Sequence, residues 1–226
     1  MELSNRRPFG PLALLDRRRL RSAALRYARH GWAVTPGACL DGDRFACGRA
    51  GCPIIGCHPE IECWEDHAST ETGRVRAWWR QRPHAVLLAT GRRFDAIEVP
   101  AALGLRALGA ARLWAGIRGV APVAGPVLAT PSGRWMFLVR PGLPLRPELR
   151  HRLDMVRHGR GSWIPAAPSR MPDGPVRWVV SPERAQWSLP ASGPVQAMLI
   201  DALGSLGHHH PVVAVPRQMS TARRAA

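Results

Sequence analysis

Two periods of apolar residues alternate along this chain, and the switches between them mark its elements. From Asp16 to His30 apolar residues return every three or four positions, with Leu20, Ala24, Tyr27 and Ala28 on one face. That pattern predicts a helix capped by Asp16 and stopped by Gly31. A short strand is predicted at 32–36. Ser69 or Thr70 opens a second helix, with Val75, Trp78 and Trp79 toward the core and Pro83 as its end. The run AVLLATGRRFDAIEVP (85–100) predicts two apolar strands joined by a Thr-Gly turn, the second carrying an acid. A helix from about Ala101 to Trp114 follows, apolar at Leu105, Leu108 and Leu113. The run VLATPSGRWMFLV (127–139) predicts a hairpin around Pro-Ser-Gly. Strands at 162–165 and 176–180 flank a Pro-rich turn, and a last helix spans roughly Pro194 to Leu206.

Strands and helices in this order predict an α+β fold around a mixed or antiparallel sheet. The expected organisation is a flexible arm over 1–15, one domain over 16–206 and a disordered tail over 207–226. A solvated tail is also the reading for the three histidines at 208–210.

Residues 39–67 break the periodicity. This Gly-, Cys- and Pro-rich stretch holds all five cysteines, at 39, 47, 52, 57 and 63, with His58 and His67. Cysteines this dense in a loop too short for its own core point to zinc rather than disulfides. Tetrahedral zinc needs four thiolate or imidazole ligands. Cys47, Cys52 and His58 are the best three, with either Cys39 or Cys57 as the fourth. A structural zinc fits such a closed set better than a catalytic one, while free buried thiols are the competing reading.

Composition narrows the function classes. At 226 residues, 46% apolar, the chain can bury one full domain core. It has no run near the roughly 18 apolar residues of a membrane span, and its first residues lack a signal-peptide pattern; the expectation is a cytoplasmic protein without a membrane partner. Its formal charge is +16, and its 32 basic residues are all arginine. A GC-rich genome explains the choice of Arg over Lys but not the surplus charge, for which nucleic acid is the usual partner. Without lysine, P-loop and Schiff-base chemistry are excluded.

Six segments in order resemble the bifunctional DNA primase/polymerase N-terminal domain, a branch of the archaeo-eukaryotic primase superfamily. They are ALRYARHGWAVTPGA, CGRAGCPIIGCHP, RVRAWWRQRPHAVLLATG, FDAIEVPAALGLRAL, TPSGRWMFLV and GRGSWIPAAPSR with GPVRW, spread over about Leu20 to Trp187. The resemblance implies a primase-like α+β core with an RRM-like half and a small Cys/His zinc insert. It implies template-directed nucleotidyl transfer, with Mg²⁺ or Mn²⁺ held by an acid-x-acid pair and a third acid. DNA, with RNA as a further option, and nucleoside triphosphates are the implied partners, with a helicase or other replication protein beside them.

Carried over by position, Glu98 matches the first acid and Asp154 the third, while Pro100 stands where the second acid belongs and Trp135 where a histidine belongs. Acids two apart on a strand share a face and acids three apart do not, so Asp95 cannot replace the missing partner from within the strand. Weak or lost transfer is therefore expected. Glu98 also reads as an edge-strand acid paired with an arginine. Arg134, Arg157, Arg160 and Arg170 are candidate phosphate contacts, with a solvated basic rim as the alternative. Trp135, Trp163 and Trp178 are candidates for base stacking or for the core.

Overall fold

The computed structural model describes residues 11–119 and 125–207; the first part of the expected arm and nearly all of the expected tail, with its histidines, lie outside them. The first helix, α1, runs Pro11–Arg29, so Asp16 sits inside it rather than capping it, and residues 11–15 are helical. Tyr27, Ala24 and Ala28 are buried, as the helical period requires.

Strand β1 (Val34–Pro36) follows. The Cys/His insert has more structure than its sequence suggests: a hairpin of β2 (Cys39–Asp41) and β3 (Arg44–Ala46), then a short helix α2 (Trp64–His67). Helix α3 (Thr72–Trp78) begins after the expected Ser69 or Thr70, because Glu71 caps it by accepting from the Arg74 backbone N–H at 3.3 Å. Trp79 is fully buried, and Trp78 packs partly against the same core.

Strands β4 (Val86–Ala89) and β5 (Asp95–Pro100) flank the Thr-Gly turn as expected, yet they do not pair with each other. β4 is the centre of a three-stranded antiparallel sheet between β1 and β9 (Trp163–Pro165). β5 enters a five-stranded antiparallel sheet in the order β12 (Arg177–Val180), β6 (Val127–Ala129), β7 (Arg134–Val139), β5, β8 (Val156–His158). A two-residue pair, β10 (Arg170–Met171) with β11 (Gly174–Pro175), closes the Pro-rich turn. The remaining helices are α4 (Ala101–Arg118), α5 (Pro147–Arg150) and α6 (Ser192–Gly207).

Each face of the large sheet has its own core, which follows from the period of two along β5 and β7. Ala96, Met136 and Leu138 join Leu128 and point toward α1 and the small sheet. Ile97, Val99, Phe137 and Val139 point the other way, into Leu103 and Ala107 of α4 and Val195 and Leu199 of α6. The expected apolar face of α4 is rotated from the one predicted. Leu108 is buried, but Leu105 and Leu113 are 64% and 66% exposed, and Leu103, Gly104 and Ala107 face the sheet instead.

The Thr-Gly turn earns its residues. Thr90 Oγ1 donates to the carbonyls of Gly159 and Ser162 at 2.6 and 2.9 Å, tying the turn to the β8–β9 loop. Gly91 has φ +82°, and a Cβ there would fall 2.1 Å from the Arg160 backbone nitrogen, so no other residue fits.

Candidate functional site

Glu98 lies on the middle of the large sheet's edge pair, opposite Met136 of β7 and Val156 of β8. Its side chain shares a face with Ala96 and Pro100, two residues to either side. Neither neighbour supplies a carboxylate. Asp95 is on the other face, 2% exposed, where its carboxylate accepts from Arg157 Nη1 and the Gly142 N–H, both at 3.0 Å.

Both oxygens of Glu98 are engaged by side chains. Arg134 Nε donates to Oε1 at 2.7 Å, and His158 Nε2 lies 2.7 Å from Oε2. The His158 hydrogen bond, opposed by burial and helped by Arg134, holds the Glu98 carboxyl below the usual glutamate range. His158 Nδ1 in turn meets Ser162 Oγ at 2.9 Å. The guanidinium of Arg134 also reaches the Asp154 backbone carbonyl at 2.6 Å. The Asp154 carboxylate itself is gripped by both arms of Arg152, at 3.0 and 2.9 Å, which lowers its pKa. Arg134 thus links the two sequence-predicted acids through one carboxylate and one carbonyl.

A family model described as bifunctional DNA primase/polymerase, N-terminal, matches residues 24–194, well over half of the chain. The chain belongs to that family. No curated protein sequence matches it.

Family membership brings nucleotidyl transfer with divalent cations as the family-level chemistry, so the cation fit can be tested on these residues. Mg²⁺ prefers carboxylates and water in near-octahedral geometry. Of the carboxylates at hand, Glu98 is doubly bonded to cationic or donor groups, Asp154 is chelated by Arg152, and Asp95 is turned away. This donor set does not fit a pair of divalent cations.

The remaining candidates separate. Trp135 is on the α4 side of the sheet, directly beneath Gly104, whose added Cβ would meet the indole at 2.6 Å. Its indole packs there, on the face opposite Glu98. Trp178 donates from its indole N–H to Tyr27 Oη at 2.9 Å and packs edge-on against that ring. Arg157 is taken by Asp95. Arg160 is exposed on the β8–β9 loop. Arg170 is exposed too, but it lines a cavity of about 460 Å³ with Arg19, Leu40 and Asp41, a cavity whose lining includes none of the Glu98 group.

In the insert, Cys47, Cys52 and His58 place one ligand atom each within 4.8 Å of one another. His58 Nδ1 lies 2.7 Å from the Gly56 carbonyl, which orients the ring so that Nε2 lies 3.6 Å from Cys52 Sγ. Burial opposes ionisation of Cys47, but hydrogen bonding from His58, Arg49 and Cys52 outweighs it and brings the thiol to about 6. Thiol, thiol and imidazole suit zinc. Neither proposed fourth ligand joins them. Cys39 is buried at 3.6 Å from His84 Nδ1, and Cys57 packs against the small core of Ala38, Phe45 and Leu87.

Sequence reasoning missed His158. Its only signal was the alternation Val156-Arg157-His158, which puts the histidine on one face and Arg157 on the other. The pairing of β8 with β5, which carries it to Glu98, is a contact across 60 residues.

Proposed function

We propose that this chain is a primase/polymerase-family domain that binds nucleic acid and nucleotide phosphates while nucleotidyl transfer is weak or lost. One observation carries this reading: Glu98 is neutralised by Arg134 and His158 on a strand that offers no second carboxylate on that face. Family chemistry needs cations to bridge phosphate oxygens. Here fixed side-chain donors occupy the acid that would hold them.

The +16 charge supports a phosphate-rich partner, DNA in the first instance and RNA as an alternative. The Cys47–Cys52–His58 group supports a structural zinc that stiffens the insert. No helix among the described residues is long and apolar enough to cross a membrane. A stricter version, in which the domain is a zinc-bearing nucleic-acid-binding module with no transfer at all, is favoured by the Asp154 carboxylate being chelated by Arg152.

Primer extension and de novo primer synthesis with Mn²⁺, run on wild type and Glu98→Ala, test the reading beside single-stranded DNA binding at several salt concentrations. The expected result is no template-directed product from either protein, with binding that weakens steeply as salt rises. Template-directed product from wild type that vanishes in Glu98→Ala overturns it.

A further inference from the structure

Helix α1 carries six arginines against a single acid. Asp16, Arg19, Ala23 and Arg26 follow one another along it at steps of three and four, so they share one face. That face walls two cavities. Asp16 and Arg19 line the cavity of about 460 Å³ described above, and Arg19, Ala23 and Arg26 line a second of about 280 Å³. Arg19 and Pro168 belong to both linings, so the two adjoin along the helix as one groove.

The opposite wall is the Pro-rich turn, which is fixed from behind. Tyr27 Oη donates to the Ala167 carbonyl at 2.6 Å, and the fully buried Ser169 accepts from the Val86 N–H at 2.8 Å through its Oγ. Leu20, Leu40, Ala85 and Pro168 give the larger cavity an apolar lining. A preformed apolar cavity of this size with a few polar groups at its edge suits a small ligand or one unit of a larger one.

The polar groups here are two arginines, Arg19 and Arg170, and two acids, Asp16 and Asp41. Among the described residues none of these four side chains makes a hydrogen bond or ion pair, even with one another. An occupant that satisfies all four must bring an anion for the guanidinium forks and hydrogen-bond donors for the carboxylates, which only accept. Inorganic phosphate meets the first demand alone. A nucleotide meets both: its phosphate faces arginine, its sugar hydroxyl or exocyclic amino group faces a carboxylate, and its base lies on the apolar lining.

The second cavity extends the demand beyond one nucleotide. Arg26 lies seven residues after Arg19, about 10 Å along the axis and nearly in line with it. A single strand spans that distance with more than one nucleotide. Arg26 pairs with Glu183 at 3.1 Å, but both side chains are about half exposed, so the pair is weak enough for a phosphate to displace. We infer that the groove along α1 seats a single strand of nucleic acid, one nucleotide in the larger cavity and a neighbouring phosphate at Arg26. The inference rests on the nucleic-acid reading above and assigns it a surface apart from the Glu98 group.

Anisotropy of a labelled single-stranded oligodeoxynucleotide, titrated with the full chain over a salt series, tests this. Arg19→Ala and Arg170→Ala should each bind about fivefold more weakly, with the slope of log K against log salt reduced by about 0.7. Arg18→Ala removes the same charge from an exposed position that lines neither cavity, and should change affinity by less than about twofold. Asp41→Ala makes the chain more positive, so a merely electrostatic surface would bind tighter, whereas loss of a nucleotide contact should weaken binding about threefold or more. All four positions are at least partly exposed, and the variants should melt as the wild type does. Salt-sensitive binding that treats the three arginine variants alike, or that tightens in Asp41→Ala, overturns this inference alone. Displacement of the strand by a free deoxynucleoside monophosphate as effectively as by unlabelled strand overturns it in favour of a free nucleotide. Absence of salt-sensitive binding by wild type overturns the nucleic-acid reading and this inference with it.

Discussion

Arg134 holds Glu98 at 2.7 Å and with the same guanidinium holds the Asp154 backbone at 2.6 Å, so one arginine stands between the strand acid and the loop acid. A positive charge fixed at that point competes directly with any divalent cation for Glu98. It also stiffens the edge of the large sheet, because β7 and the turn before β8 are pinned together across β5.

The first prediction concerns acid stability. His158 and Arg134 depress the Glu98 pKa in the folded chain. The stabilisation is therefore fully present above the unfolded value, about 4.3, and is lost as pH falls through the lower folded value. Glu98→Gln should lower stability at neutral pH by about 1–3 kcal/mol, since it leaves two half-buried donors with a weaker acceptor. The gap between variant and wild type should close as pH drops below about 4. Thermal melts across pH read this directly, and parallel curves would contradict it.

Much of this was legible in the sequence, for physical reasons that can be named. Local period places α1, α3 and the 127–139 hairpin, and the three-residue offset of Asp95 from Glu98 forecasts their separation onto opposite faces. The competing reading of Glu98, an acid paired with an arginine, is the geometry found. What the sequence hides is non-local. The Thr-Gly turn separates strands of two different sheets, which only the long-range pairings of β4 and β5 reveal. Leu105 and Leu113 look like core because α4 is apolar nearly all round, so its period cannot select the buried side. Trp135 matched a motif position, but the register Val99–Trp135 turns it toward α4.

Zinc content should divide the cysteines. Wild type purified under reducing conditions should carry one equivalent of zinc. Cys47→Ser and Cys52→Ser should lose it and loosen the insert, because a missing thiolate removes one of three grouped ligands. Cys39→Ser should keep it, since Cys39 is engaged with His84 outside that group. Metal analysis of the three variants decides; loss of zinc from Cys39→Ser would restore that residue as a ligand.

Gly104→Ala tests the packing role of Trp135. The added methyl would come within 2.6 Å of the indole, and overpacking of this kind costs about 1–3 kcal/mol. Trp135→Phe should also destabilise by about 1 kcal/mol or more while leaving DNA affinity unchanged once the protein is folded. Denaturant unfolding and DNA binding measured on the same samples separate the roles. Weakened DNA binding without lost stability would return Trp135 to the binding surface.

Arg157 and Arg160 are three residues apart and should behave in opposite ways. Arg157 is the charged partner of Asp95, a carboxylate only 3% exposed that otherwise has the Gly142 N–H. Arg157→Ala strands that buried charge, and removing one partner of a buried pair costs about 3–5 kcal/mol, less here because the arginine is a third exposed. The loss should appear as lower stability with an unchanged salt dependence of DNA binding. Arg160 is exposed on the loop that Thr90 and Gly91 hold in place, and no hydrogen bond or ion pair of its side chain is seen among the described residues. Arg160→Ala should therefore melt like wild type but bind single-stranded DNA more weakly, with the slope of log K against log salt reduced by about 0.7–1. Anisotropy titrations over a salt series read that slope. A full slope in Arg160→Ala together with a reduced one in Arg157→Ala would move the phosphate contact onto the buried pair and away from the loop.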